Sequence, residues 1–126
     1  MFDLRDGRIL FDIKSSLSPF LQAHVTEIQS LCEQHQVHKL WAFGSVLKKD
    51  FHPDSDVDLL YEMEKRVVSP DDWYVAYWEF LDRLVTVLDR KVDLIWHQGI
   101  KNPYLKAEIE ANKVLLYDRQ RKEIFV

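Results

Sequence analysis

Residues 56–63 read DVDLLYEM, and their alternation leaves few architectures open. Successive side chains on a strand point to opposite faces, so Asp56, Asp58, Leu60 and Glu62 share one face and Val57, Leu59, Tyr61 and Met63 the other. The second face is apolar and has to be covered. The first opens with two carboxylates and has to meet water or a ligand. Such a strand belongs to a sheet packed on one side.

Three more segments read as strands: HKLWAF at 38–43, KVDLIW at 91–96 and KVLLY at 113–117. Helices fall between them. Ser18-Pro19 supplies a cap and a first helical residue, and Leu21, Val25, Ile28 and Cys32 recur at helical spacing to about His35. Ser69-Pro70-Asp71-Asp72 is an acidic helix start suited to the helix dipole, followed by a stripe of Trp73, Tyr77, Phe80, Leu81, Leu84 and Leu88. Asn102-Pro103 caps a third helix running to about Asn112. Strands and helices mixed in this order predict an α+β, two-layer fold in which a mixed β-sheet carries helices on one face.

A chain of 126 residues fits one domain, residues 1–126, and buries roughly two thirds of its unfolded surface, enough to fold without a structural metal. A metal here would serve chemistry. Asp6-Gly7 suits a two-residue hairpin turn, the alternative for residues 1–17 being a loose N-terminal arm. Residues 118–126, ending RQRKEIFV, read as a charged tail. Cys32 is the only cysteine, which excludes an internal disulfide. No signal-peptide pattern and no run of membrane-spanning length is present, so a cytoplasmic location and no membrane partner are expected. Seventeen Lys and Arg against 21 Asp and Glu leave a net charge of −4, which argues against nucleic acid as a ligand held by bulk electrostatics.

The chemistry concentrates in GSVLKKDFHPDSDVDLL, residues 44–60. A strand runs into Gly44, whose missing Cβ lets backbone approach a ligand, and Ser45 adds a hydroxyl. If residues 45–49 begin a helical turn, their N–H groups suit a phosphate. Asp56 and Asp58 follow, two apart on one strand face and roughly 6.5–7 Å apart at Cα, close enough to converge on hydrated cations. Magnesium prefers hard oxygen ligands and takes one or two carboxylates together with phosphate oxygens. Asp93 lies between Val92 and Leu94, in a strand apolar enough that an unpaired charge would be costly. Lys91 or Arg90 could pair with it. A second metal shared with Asp56 and Asp58 could do so too, and two ions would clamp the attacking and leaving oxygens of a displacement at phosphorus.

By itself Asp-x-Asp is common on solvated strand faces; the Gly-Ser at fixed distance gives it meaning. These residues resemble the DNA polymerase beta-like nucleotidyltransferase superfamily, whose signature is Gly-Ser, about ten residues, Asp-x-Asp, and a third Asp on a later strand. Here Val46–Ser55 is the spacer, Pro53-Asp54-Ser55 leads into Asp56-x-Asp58, and Val-Asp-Leu surrounds Asp93. The chain is most similar to the minimal nucleotidyltransferases, over roughly residues 18–117. Two departures are Val46 and Lys49, where many relatives carry Arg and Gly; Lys48 remains as a basic side chain near the turn.

The resemblance implies a polymerase-beta-like fold and magnesium-dependent transfer of a nucleoside monophosphate, AMP from ATP, to an acceptor hydroxyl. It implies Asp56, Asp58 and Asp93 as catalytic metal ligands for two Mg2+ ions, and Gly44, Ser45, Lys48 and Ser55 as nucleotide contacts. It implies further an antitoxin that adenylylates a HEPN-type toxin as its protein partner. The alternatives are a non-catalytic module neutralising a partner by contact and a small-molecule, aminoglycoside-like nucleotidyltransferase. Of the five histidines, only His52 and His97 are placed to approach the site. Of the aromatic residues Trp73, Tyr77, Trp78 and Phe80, Trp78 lies off the apolar stripe and is expected to be exposed.

Overall fold

A computed structural model describes residues 18–47, 55–63 and 72–120. Its strands are β1 (Val37–Phe43), β2 (Val57–Met63), β3 (Val92–Trp96) and β4 (Val114–Asp118), and its helices are α1 (Pro19–Gln34), α2 (Trp73–Leu88) and α3 (Pro103–Asn112). The strands form one sheet in the order β3-β2-β1-β4. β1 runs antiparallel to both β2 and β4, while β2 and β3 are parallel. Parallel neighbours need a long crossover, and α2 lies within it.

Local signals set the helix starts. The Ser18 hydroxyl accepts from the Leu21 amide, with Pro19 in the first turn. Asn102 Oδ1 accepts from the amides of Tyr104 and Leu105 at 2.9 and 3.2 Å. α2 begins at Trp73 behind Asp72, whose side chain makes no capping bond; the rest of the anticipated start, Ser69–Asp71, lies outside the described residues, as do the Asp6-Gly7 hairpin and the rest of residues 1–17.

α1 and α2 cover one face of the sheet. Leu21, Val25 and Ile28 of α1 and Phe80 and Leu84 of α2 meet Leu40, Ala42, Leu59, Tyr61 and Leu94 from the strands. Tyr77 ties α2 to β3 by donating from its hydroxyl to the Leu94 carbonyl at 3.1 Å. Trp78 stands out of this stripe, 49% exposed. The anticipated one-sided layering holds for these two long helices. The short α3 instead lies against the opposite face, where Ile109 packs with Trp41 and Leu60. Its placement follows from parity: Leu40 and Ala42 turn towards α1 and α2, so Trp41 points the other way and needs its own cover.

Asp118 and Arg119, expected in the charged tail, belong to the fold. Asp118 ends β4 and is buried, and Arg119 donates to the carbonyls of Val37, Cys32 and Glu33. A guanidinium with five donors can clamp a helix end to a strand start, which is why a residue that looks like solvated charge belongs to the fold. Residues 121–126 are outside the described set.

Candidate active site

The carboxylates gather on the less covered face of the sheet. The period of two in β2 turns Asp58 away from the main core, as read from the sequence, while Val57 and Leu59 are fully buried on the other side. Parallel pairing then sets Asp93 of β3 directly beside Asp58, in the register Val57–Val92, Asp58–Asp93, Leu59–Leu94. Paired residues share a face, so two carboxylates stand side by side, with Asp56 two residues before Asp58.

Such crowding shows in their electrostatics. Asp58 is pushed above the ordinary carboxylate range, first by partial burial and then by the negative charges of Asp93 and Asp56. A cation between them would relieve that repulsion. Lys91 reaches Asp56 at 3.8 Å, but the lysine is mostly in water and the pair is weak.

Asp93 departs from the expectation that led to it. It is exposed, because only Val92 and Leu94 turn into the core, so desolvation does not force a partner on it. Neither suggested cation neutralises it: Lys91 pairs with Asp56, and the Arg90 guanidinium lies 4.6 Å over the Phe20 ring.

Gly44 closes the site from β1. Phe43 pairs with Asp58 across the antiparallel ladder, so the chain leaves β1 beside that carboxylate. Gly44 has φ of +77°, and a Cβ built there would lie 2.8 Å from Asp58 Oδ2. A larger residue would strain the backbone there and push the Asp58 carboxylate aside. Residues Gly44–Leu47 then wind through one 3-10 turn that carries Ser45, half-buried, and anchors itself through buried Val46. Ser55, also half-buried, precedes Asp56; Lys48, Lys49 and His52 lie outside the described residues.

Beside the turn is a cleft of about 480 Å³. Phe43, Gly44, Ser45 and Leu47 form one wall; Leu105, Glu108, Ile109 and Asn112 of α3 form the other. None of the α3 residues was a candidate from sequence, although their spacing of i, i+3, i+4 and i+7 marks one helix face. His97, a candidate for approaching the aspartates, sits at the far end of the face instead, beside Glu62, Glu110 and Lys113.

The donor set suits magnesium. All three candidate ligands are hard carboxylate oxygens, and the missing Cβ of Gly44 leaves room directly over Asp58. Among the described residues no three ligating side chains are gathered tightly enough to hold an ion alone. Magnesium does not require such a cage, since it completes its shell with water and phosphate oxygens.

Known proteins resemble this chain in sequence and fold. Residues 26–122 match the polymerase beta nucleotidyltransferase domain. Two candidate protein adenylyltransferases of Methanocaldococcus jannaschii are 36% and 30% identical to this chain, each over 84 residues, 67% of this chain and 81% of the relative. A solved candidate minimal nucleotidyltransferase superposes with a TM-score of 0.61 at 26% identity, covering 75% of this chain and 90% of the other. A chain of the complex between a tri-AMPylated HEPN toxin of Shewanella oneidensis and an MNT antitoxin superposes with a TM-score of 0.54 at 19% identity, covering 83% of this chain and 80% of that one. At that identity the likeness is one of fold.

Proposed function

Because the chain belongs to the polymerase beta nucleotidyltransferase family and is a minimal nucleotidyltransferase, we propose that it transfers AMP from ATP to a hydroxyl on a partner protein, as the antitoxin of a HEPN toxin. The observation that carries the chemistry is the register of Asp58 against Asp93, with Gly44 and Ser45 beside them. Relatives described as candidate protein adenylyltransferases support the nucleotide and the acceptor class, and the toxin–antitoxin architecture of similar folds supports the partner.

In this reading the Ser45 hydroxyl and the turn around it hold the β and γ phosphates, with Lys48 and Ser55 as further contacts. Asp56, Asp58 and Asp93 would hold two magnesium ions. Bound there, the ions would neutralise phosphate charge and make the acceptor hydroxyl more acidic. The acceptor oxygen forms a bond to the α-phosphorus, the bond from that phosphorus to the bridging oxygen breaks, and pyrophosphate leaves. Asp93, which is exposed, takes the hydroxyl proton in this reading. No covalent intermediate on the enzyme is needed.

The test is label transfer from α-labelled ATP to a co-purified partner in the presence of magnesium. Wild-type protein should label the partner and add the mass of one or more adenylyl groups. Asp56→Asn and Asp58→Asn should each reduce labelling to background. Unchanged labelling by Asp58→Asn would overturn the assignment. An unlabelled partner that Asp58→Asn still neutralises would establish contact, not transfer, as the mechanism.

A further inference from the structure

The far end of the open face holds a cluster that the transfer mechanism does not use. His97 Nε2 lies 2.8 Å from Glu110 Oε2 and 3.2 Å from Lys113 Nζ, and His97 Nδ1 lies 3.7 Å from Glu62 Oε2. Lys113 donates to Glu110 and stands 4.2 Å over the Trp41 ring, whose centroid is 4.6 Å from that of His97. The side chains of His97 and Lys113 are only 18% and 15% exposed, so this is a packed polar contact.

What the cluster joins is informative. Glu110 is on α3 and Lys113 directly follows it, whereas Glu62, Trp41 and His97 belong to the sheet and to the turn after β3. α3 needs such a joint: a helix of ten residues is marginal by itself, and Ile109 is its only buried residue. One apolar anchor and the one-residue link to β4 fix where the helix ends more firmly than how its wall is turned. The face that rotation would swing is the one carrying Leu105, Glu108, Ile109 and Asn112, the wall opposite Gly44 and Ser45.

We infer that His97 is a positioning residue for the nucleotide cleft, acting through Glu110 and Lys113 to hold α3 at the orientation in which its wall faces the Gly44–Ser45 turn. The inference rests on the reading of that cleft as the nucleotide site. His97 touches no reacting atom; it sets the population of the binding-competent orientation of α3. Loss of the tether therefore weakens nucleotide binding and leaves the chemical step of bound substrate alone.

Titration calorimetry with a non-hydrolysable ATP analogue and magnesium tests this on the full chain. If untethering leaves about a tenth of molecules competent, His97→Ala and Glu110→Ala should each weaken binding about tenfold. Because each removes the same joint, the double variant should lose no more than either single one. His97→Gln, which can still donate to Glu110, should recover most of the affinity. At saturating nucleotide kcat should stay within about twofold of wild type while KM rises. Glu110 is exposed, so its replacement keeps the fold and keeps the test decisive even if His97→Ala does not fold. Wild-type affinity in both single variants, or additive losses in the double one, would overturn the tether alone. Failure of the wild-type protein to bind the analogue would overturn the nucleotide reading and the tether together.

Discussion

Gly44 is the residue at which the demands of the backbone and those of the site coincide. Its φ of +77° is costly for a residue with a Cβ, and the Cβ of alanine would stand 2.8 Å from an Asp58 carboxylate oxygen. The carboxylate is the softer of the two obstacles and would be displaced. Gly44→Ala should therefore cost only about 1–2 kcal/mol of stability, while activity falls about a hundredfold or more, as when a positioned group is moved by an ångström. Denaturant titration beside kcat/KM measures the two effects separately. A variant with wild-type activity would mean that Asp58 tolerates displacement and is not held by Gly44. The sequence carried this pairing only as a motif. Period two in DVDLLYEM sufficed to put Asp56 and Asp58 on one face, but that Gly44 abuts Asp58 depends on the antiparallel register of β1 with β2, which no local pattern encodes.

Elements were legible in proportion to how much of their own sequence decides them. α1 has a cap, a proline and a stripe that is buried at Leu21, Val25, Ile28 and Cys32, and it forms where those signals place it. α3 has a clear cap but one buried residue, so its sequence gives its ends and not the face of the sheet it covers. Asp93 shows the same limit: apolar neighbours suggested a buried charge, whereas alternation on a strand at the sheet edge exposes it.

The packing of α1 on α2 makes a pH prediction of its own. His35, just past the end of α1, lies against the Phe80 ring of α2 with centroids 5.6 Å apart. Burial lowers its pKa, Glu79 partly opposing this and Arg83 reinforcing it. A histidine lowered in the folded state takes up its proton more readily when unfolded. Its neutral form thus supports the fold fully above the ordinary imidazole value of about 6.5, and that support is lost as pH falls through the lower folded value. The urea midpoint of wild type should drop across that interval, and His35→Phe should show a shallower drop. Equal slopes in the two proteins would show that another group is responsible.

At the scale of the whole molecule, the main core and the carboxylate cluster occupy opposite faces of one sheet. The separation lets the core be packed for stability while the other face holds three like charges in close quarters, an arrangement that costs the fold something when no cation is bound. Removing one charge should relieve that cost, because asparagine nearly preserves the shape of aspartate and the α1–α2 layer does not touch it. Without magnesium, Asp58→Asn should therefore melt a few degrees higher than wild type, on the scale of about 4 °C for each kcal/mol in a domain near this size. Adding magnesium with a non-hydrolysable ATP analogue should reverse the order. A ligand that binds only the folded state raises its stability by RT ln(1 + [L]/Kd), and wild type alone would retain the full ligand set. Thermal melts of the two proteins with and without the pair of ligands measure both halves. If Asp58→Asn melts lower than wild type without ligand, the carboxylate is structural; if both proteins gain equally on adding ligand, Asp58 does not contribute to holding it.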